Sequence, residues 1–407
     1  MSKELCKVRT ITTFVSLDHD REHWKREIVK ASRFCADLSA EFRRHGYSVQ
    51  SVRIVTNPFG EYLNTQSLET ARTDLAYLSD LLKASDESGV RVRFAIGEAR
   101  TQQEIELVPD LVREFGDLCN VCVNVKPDEQ GILNNKLIEV AAEAVLKISQ
   151  ITARGEGNFN FTVNFNCAPL IPYFPASYHR KELGRRFVIG LETPDLLVEV
   201  LRDYNQRAKA ENHNDNFNGY FEAMSTALQH HISAIQNIIE QSALDEAFSF
   251  SGFDSSAAPS KNCSSMVEVY QQMGVEYFGA CGTIEASSLL TRVFKSIKDV
   301  ELVGFSGLML ALTEDTGLAE GTIQGHFDIR ALLTYSAVCG IGLDTVPIPG
   351  DTCIDKISAL MRDTGTMAYR LDKPLTVRLF PVPGLEAGEM TAFESDDLCN
   401  CAVLAVP

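Results

Sequence analysis

Short β-rich runs alternate with longer helical patterns along this 407-residue chain, and that alternation restricts its fold more than any other feature. Strand-like runs occupy 8–17, 47–56, 90–97, 119–125, 161–166, 186–192, 247–253, 275–280, 302–312, 342–348 and 374–382. Several are continuously apolar, the pattern of strands covered on both faces. Between them, "REHWKREIVKASRFCADLSAEFRRHG" spaces apolar side chains three and four apart and stops at Gly46. "MVEVYQQMG" stops the same way at Gly274, and a long helix over 221–246 follows a polar loop at 210–219, the segment best suited to move. Such alternation implies a mostly parallel sheet with right-handed crossovers. About ten strands exceed one flavodoxin-like sheet. No linker, repeat or low-complexity tract divides the chain. The expectation is a closed barrel or one large α/β unit of about ten strands, a single domain over 1–407 with a helical excursion near 196–246.

Charge narrows the partners. The formal net charge is -17, from 38 basic and 55 acidic side chains, which argues against a nucleic-acid binder. No apolar run reaches the roughly 18 residues of a membrane span, and the first residues lack the pattern of a signal peptide. The 11 cysteines are odd in number and lack an export signal, so reduced thiols in the cytoplasm are expected. Cys119 and Cys122 form a C-x-x-C, yet "LCNVCVNV" alternates like a strand and would point them to opposite faces, a poor start for zinc.

Ligands of parallel α/β folds bind at the carboxyl ends of strands. Asp18 and His19, Glu98, Asn166 and Cys167, Glu192, Asp254, and Cys281 to Thr283 all follow predicted strands. Thr193-Pro194 reads as a cap followed by proline at the first helical position. Taken singly, such residues more often cap helices than bind ligands. Their convergence on one side of the fold makes Asn166, Glu192 and Thr283 candidate substrate contacts and Asp254 a candidate acid or base. His179, after the aromatic, proline-rich "IPYFPASYHRKELG", is the histidine best placed to reach a site.

The stretch "YSAVCGIGLDTVPIPGDT" at 335–352 is the least regular. Its backbone reads as a helix ending near Cys339, a left-handed stop at Gly340, an extended segment before proline, and a turn at Pro349-Gly350. Thr352 and Asp355 read as a capping box for the next helix, whose N-terminus could hold an anionic group. None of this accounts for Cys339, a nucleophile or a structural thiol, or for Asp344.

"GFSGLMLALTEDTGLAEG", "LLTYSAVCGIGLDTVPIPGDT", "KPLTVRLFPVPG" and "SGFDSSAAPS" closely resemble the family known as domain of unknown function 711 (uncharacterised protein family 0210), a likeness covering most of the chain. The resemblance implies a fold similar to the pyruvate formate-lyase and ribonucleotide-reductase group, a ten-stranded α/β barrel in which a cysteine abstracts a hydrogen atom. Cys339 is the thiol this analogy selects, and Ser306 and Gly307 join the substrate-binding candidates through the same likeness. The tail "MTAFESDDLCNCAVLAVP" has nothing like a glycyl-radical string, so radical chemistry is not expected.

The leading expectation is a cytoplasmic enzyme of unknown reaction, acting on a small polar metabolite at the barrel mouth. Cys339, Asp344, His179 and Asp254 are its catalytic candidates, and Asn166, Glu192, Thr283, Ser306, Gly307 and Thr352 its substrate contacts. Asp254 and Asp344 are also candidate oxygen ligands for Mg²⁺ or Ca²⁺, although no cofactor is specified by the sequence. The alternative is a metabolite-binding regulatory protein on an inherited enzyme scaffold. The expected partner is a small molecule, with a homo-oligomer plausible for a barrel of this size.

Overall fold

In the computed structural model the expected alternation is realised as β1 (Lys7–Val15), α1 (Arg21–Arg44), β2 (Ser51–Thr56), α2 (Leu68–Ser85), β3 (Arg91–Glu98), α3 (Gln102–Phe115), β4 (Asn120–Val125), α4 (Asn135–Ile151) and β5 (Phe161–Phe165). The chain continues through β6 (Arg186–Glu192), α5 (Pro194–Glu211), α6 (Asn216–Gln241), β7 (Ser249–Asp254), α7 (Met266–Gln272), α8 (Thr283–Lys295), α9 (Thr316–Ile323), α10 (Ile329–Ser336), β8 (Gly342–Pro349), α11 (Ile354–Arg370) and β9 (Leu375–Val382). The structure describes residues 2–85, 91–211, 216–242 and 245–407. Val90 of the expected third strand, residues 212–215 of the polar loop with His213, and 243–244 at the end of the long helix lie outside the described residues.

The strands form one sheet in the order β7-β6-β1-β2-β3-β4-β5-β9-β8. β1 to β5 are mutually parallel, and β6 and β9 join the outer members of that group antiparallel. β7 then continues parallel to β6, and β8 parallel to β9. The ladder is open, with β7 and β8 at its ends.

It is nevertheless strongly curled. Arg9 of β1 and Arg378 of β9 stand five places apart in the strand order, so a flat sheet would separate them by roughly 24 Å at about 4.8 Å per strand. Both instead meet Glu314, at 3.9 Å and 2.6 Å. Between the two sheet edges runs 302–312, touching β7 through a bridge from Leu302 to Phe253 and β8 through a bridge from Ala311 to Asp344.

Two expected strands are not strands. At 275–280, Gly279 takes φ +110° and Ala280 N–H closes a turn on the Tyr277 carbonyl. In 302–312, Gly304 at φ +65° and Ser306 at φ +37° turn the backbone out of the extended region, leaving only the two bridges.

The two faces of the sheet differ in chemistry. Val8, Ile11 and Val15 of β1, Val52 and Ile54 of β2, and Val121 and Val123 of β4 join the main apolar core with α1 to α4. The other face carries Thr10, Thr12, Arg53, Arg93, Asn120, Thr162, Asn164, Thr376 and Arg378, all buried. Two small apolar clusters bracket this polar band. Phe14, Val55, Ala95, Phe174 and Val188 lie at one end, and Phe159, Phe380, Val382, Phe393, Leu398 and Val403 at the other. The concave side is therefore a polar chamber between two hydrophobic plugs.

Helix ends follow sequence cues in part. Gly46 and Gly274 take the positive φ of helix stops (+82° and +87°), and Ser265 and Glu268 form a full capping box on α7. Gly340 is not a left-handed stop: α10 ends at Ser336 with Ala337 as a right-handed cap, and the positive φ nearby, +94°, belongs to Gly342 at the start of β8. Gly340 is needed for proximity, since a Cβ there would lie 2.8 Å from Gly307 Cα. Nor does Thr352 cap α11. Cys353 occupies the cap position, and the Thr352 hydroxyl donates back to the Pro349 carbonyl at 2.7 Å. Thr193 precedes α5 as expected, but its buried hydroxyl has no hydrogen-bond partner.

Candidate functional site

Four strands carry the same local pattern, valine followed by arginine: "KVRTI" in β1, "SVRIV" in β2, "RVRFA" in β3 and "TVRLF" in β9. Strand alternation turns the valine toward the helices and the arginine into the chamber. Register then places Thr12 opposite Arg53 and Arg53 opposite Arg93.

Three of the four arginines are matched by carboxylates. Arg9 meets Glu192 at 3.4 Å and Glu314 at 3.9 Å, and Arg93 is held by Asp397. Arg378 donates from Nε to Asp344 Oδ1 and from Nη2 to Glu314 Oε1, both at 2.6 Å, and Phe159 lies 4.9 Å beneath its guanidinium. Burial opposes the Arg378 charge, but Asp344 and Glu314 outweigh it and raise its pKa.

Arg53 is the exception. Its Nη1 donates to the Pro172 carbonyl at 2.9 Å, its guanidinium lies 4.9 Å over Phe174, and its buried Nε has no partner among the described residues. Among the described residues no carboxylate comes within 4 Å of it. Burial first, then repulsion from Arg93 and Arg9, pulls its pKa well below the ordinary arginine value.

Arg53 lines a cavity of about 40 Å³ together with Arg9, Asp344, Thr376, Arg378 and Glu314. That is room for a head group such as a carboxylate, on a scale where one water needs roughly 10–15 Å³. Tyr173, Phe174 and Pro175 close one side. Asp344 contributes the matching loose end: Oδ1 is taken by Arg378, whereas Oδ2 is buried with no partner among the described residues. Burial pushes the Asp344 carboxyl up, with Arg378 opposing and Glu314 reinforcing. The wall thus holds one unneutralised cation and one carboxyl disposed to take a proton.

Of the residues selected from sequence, only Asp344 lines this cavity. Glu192 stands behind it, accepting from Lys7, Arg9 and Gln50. Asp254, Ser306 and Gly307 do come together, as a structural knot. Asp254 accepts from Ser256 N–H and hydroxyl and from the backbone N–H of Phe305 and Ser306, while Gly307 N–H donates to Ser256. Burial raises the Asp254 pKa to about 6 despite these donors.

Cys339 is buried in the main core, outside the cavity lining, and its carbonyl accepts from Lys373, which also caps Ser336 and Ala337. His179 packs 5.8 Å from Phe14 at the plugged end, fully buried, and neither ring nitrogen has a hydrogen-bond partner. Burial lowers its pKa to about 4. Asn166 is held by Asp372 outside the chamber, and the Thr283 hydroxyl serves its own turn between Gly279 and Ala280.

The metal expectation does not fit these residues. Asp254 is saturated by donors, and Asp344 lies against an arginine. Among the described residues no three His, Cys, Asp or Glu side chains are placed to share an ion. Sequence reasoning missed Arg53, Arg93 and Arg378. The signal was the single arginine repeated at one position in four apolar strands.

Comparison with known proteins gives one consistent answer. The family described as Uncharacterised ACR (DUF711) matches residues 1–394. A UPF0210 protein of Pyrobaculum arsenaticum is 28% identical over 388 residues, spanning 93% of this chain and 82% of its own. One from Pyrobaculum islandicum is 26% identical over 85% of this chain and 76% of its own, and one from Clostridium botulinum 24% over 97% and 89%. Their names state no reaction.

Proposed function

Because the chain belongs to the Uncharacterised ACR (DUF711) family, whose description assigns no chemistry, we propose a function from the chamber itself: recognition and turnover of a small metabolite bearing a carboxylate or phosphate. The carrying observation is Arg53, buried, without a carboxylate, its Nε unpartnered on the wall of a head-group-sized cavity. An anion placed there relieves the repulsion among Arg53, Arg93 and Arg9 and completes the Arg53 hydrogen bonds.

Asp344 is the acid/base group in this reading. Its free Oδ2 and raised pKa suit proton transfer at an atom next to the bound anion. Arg378 and Glu314 are positioning residues that hold Asp344 in place. Cys339 acts as a packing thiol. The barrel expected from sequence enters here too, with 302–312 as the stave that spans the edges of one 1–407 domain. The curl that brings β1 and β9 to Glu314 and the bridges to Phe253 and Asp344 support it. Eleven unpaired cysteines support a reducing, cytoplasmic setting. Among the described residues no helix is long and apolar enough to cross a membrane.

The test is solvent exchange. Purified protein is incubated in D₂O with acetate, malonate, succinate, lactate and glycolate, and C–H signals are followed by NMR. Deuterium entering the carbon beside one carboxylate, lost in Asp344→Asn with the fold intact, is the expected result. Binding of an anion with no exchange in any compound would reject turnover and leave a metabolite-binding regulator.

A further inference from the structure

A second ligand site lies at the carboxyl ends of β4 and β5, outside the cavity that Arg53 lines. There a groove of about 440 Å³ opens among Lys126, Asn164, Asn166, Tyr178 and Tyr369, a volume within the range of small-molecule sites. Its floor is a hydrogen-bonded ladder whose direction is fixed by chemistry. Glu98 accepts from Arg100 at 3.1 Å and from Arg180 at 2.5 Å on Oε2, and on Oε1 from Asn124 Nδ2 at 2.8 Å. A carboxylate paired with two arginines only accepts, so the Asn124 amide must present its NH₂ to Glu98 and its oxygen to Asn164. Asn164 Nδ2 then donates to Asn124 Oδ1 at 3.1 Å and to the Ala176 carbonyl at 2.9 Å. Flipping Asn164 would set its oxygen against two acceptors.

The ladder therefore ends on Asn164 Oδ1, which is buried and has no donor, in a residue only 1% exposed. Tyr178 and Tyr369 flank the groove, and their hydroxyls are committed to the Cys167 and Val125 carbonyls, both at 2.7 Å. They offer no free donor; Arg180 lies 4.6 Å over one face of the Tyr178 ring, so ring surface comes from Tyr369 and the remaining edge of Tyr178. Lys126 at the rim disfavours a cationic ligand.

We infer that this groove binds a neutral, flat or aromatic ligand that donates an amide or hydroxyl hydrogen to Asn164 Oδ1. The inference does not rest on the Arg53 cavity. Ala176 lines the chamber while its carbonyl faces Asn164, so the 173–176 segment divides the two spaces.

Benzamide and benzoate have one shape and differ in the donor, which makes them the probes. Crystals of the whole protein soaked with benzamide should show it between the tyrosines with its nitrogen on Asn164 Oδ1. Benzoate should bind there at least about tenfold more weakly, the scale of one hydrogen bond to a buried unsatisfied acceptor. Asn164→Leu should lose benzamide by a similar factor in calorimetry, and Arg53→Met should leave it unchanged. Should Asn164→Leu not fold, the benzamide–benzoate contrast on the wild-type protein decides. Equal binding of both probes, an empty groove, or loss of benzamide on Arg53→Met alone would overturn the inference.

Discussion

Arg378 donates from Nε to Asp344 Oδ1 at 2.6 Å, joining the neighbouring strands β9 and β8 inside the chamber and leaving Asp344 Oδ2 unpartnered. Removing one member of a buried pair strands the other. Arg378→Met should therefore destabilise the fold by about 3–5 kcal/mol, because Asp344 and Glu314 lose their shared partner. Asp344→Asn keeps the shape and leaves Arg378 with Glu314, so it should cost less. Denaturant unfolding of both variants checks the order.

Gly307 and Gly340 bring two loops together with no room for a side chain. A Cβ on Gly340 would lie 2.8 Å from Gly307 Cα, and one on Gly307 would lie 3.0 Å from Gly340 Cα. Gly340→Ala should cost about 2–3 kcal/mol through overpacking against backbone. Gly384→Ala, where φ is +78° and nothing lies within 4 Å, should cost only about 1 kcal/mol. Thermal melts of the two variants provide the comparison.

His179 is held neutral by burial, with a folded pKa of about 4. An unfolded histidine titrates near 6.5, so the unfolded chain binds the extra proton across that window. The resulting stability is complete above pH ~6.5 and is lost as pH falls through about 4, on the order of 3 kcal/mol in all. His179→Leu should remove that part of the acid sensitivity. Urea midpoints taken between those pH values measure it.

Asp254 has the opposite sign. Its folded pKa of about 6 lies above the unfolded value of about 3.9, so the folded state holds the proton more tightly. This contribution is complete below pH ~3.9 and is lost as pH rises through about 6. Asp254→Asn should flatten that dependence. It should also cost about 1–3 kcal/mol, since the amide NH₂ must face a donor in the knot. A pH series of melts on the variant separates the slope from the offset.

The strands of the parallel core were legible because "SVRIVT", "CNVCVNV" and "FTVNFN" are short runs of strand-forming residues bounded by turns or helices. The run at 302–312 looked the same and is not a strand. Its positive φ at Gly304 and Ser306 is set by the Asp254 knot, a partner about fifty residues away that no local window contains. Of the residues lining the candidate cavity, the site candidates chosen from sequence included only Asp344. Polar residues after strands drew attention to the strand ends, where Asn166 and Thr283 stabilise local structure, while the chamber is built from arginines in mid-strand. A single arginine in an apolar run reads as an edge or a solvated face until the sheet curls and closes over it. Gly340 shows the same limit: it was visible as a backbone specialist, but what requires a glycine there is the close approach of Gly307, about thirty residues away.

Arg53 carries the central claim, and one comparison tests it most directly. Thermal unfolding of wild-type protein and Arg53→Met is followed alone and with acetate, malonate or inorganic phosphate. The account predicts that Arg53→Met melts higher than wild type without ligand, because a buried unpaired charge has gone. It also predicts that at least one anion raises the wild-type melting point and leaves the variant unmoved. An anion that stabilises both proteins equally, or a wild type that none of the three stabilises, would contradict it.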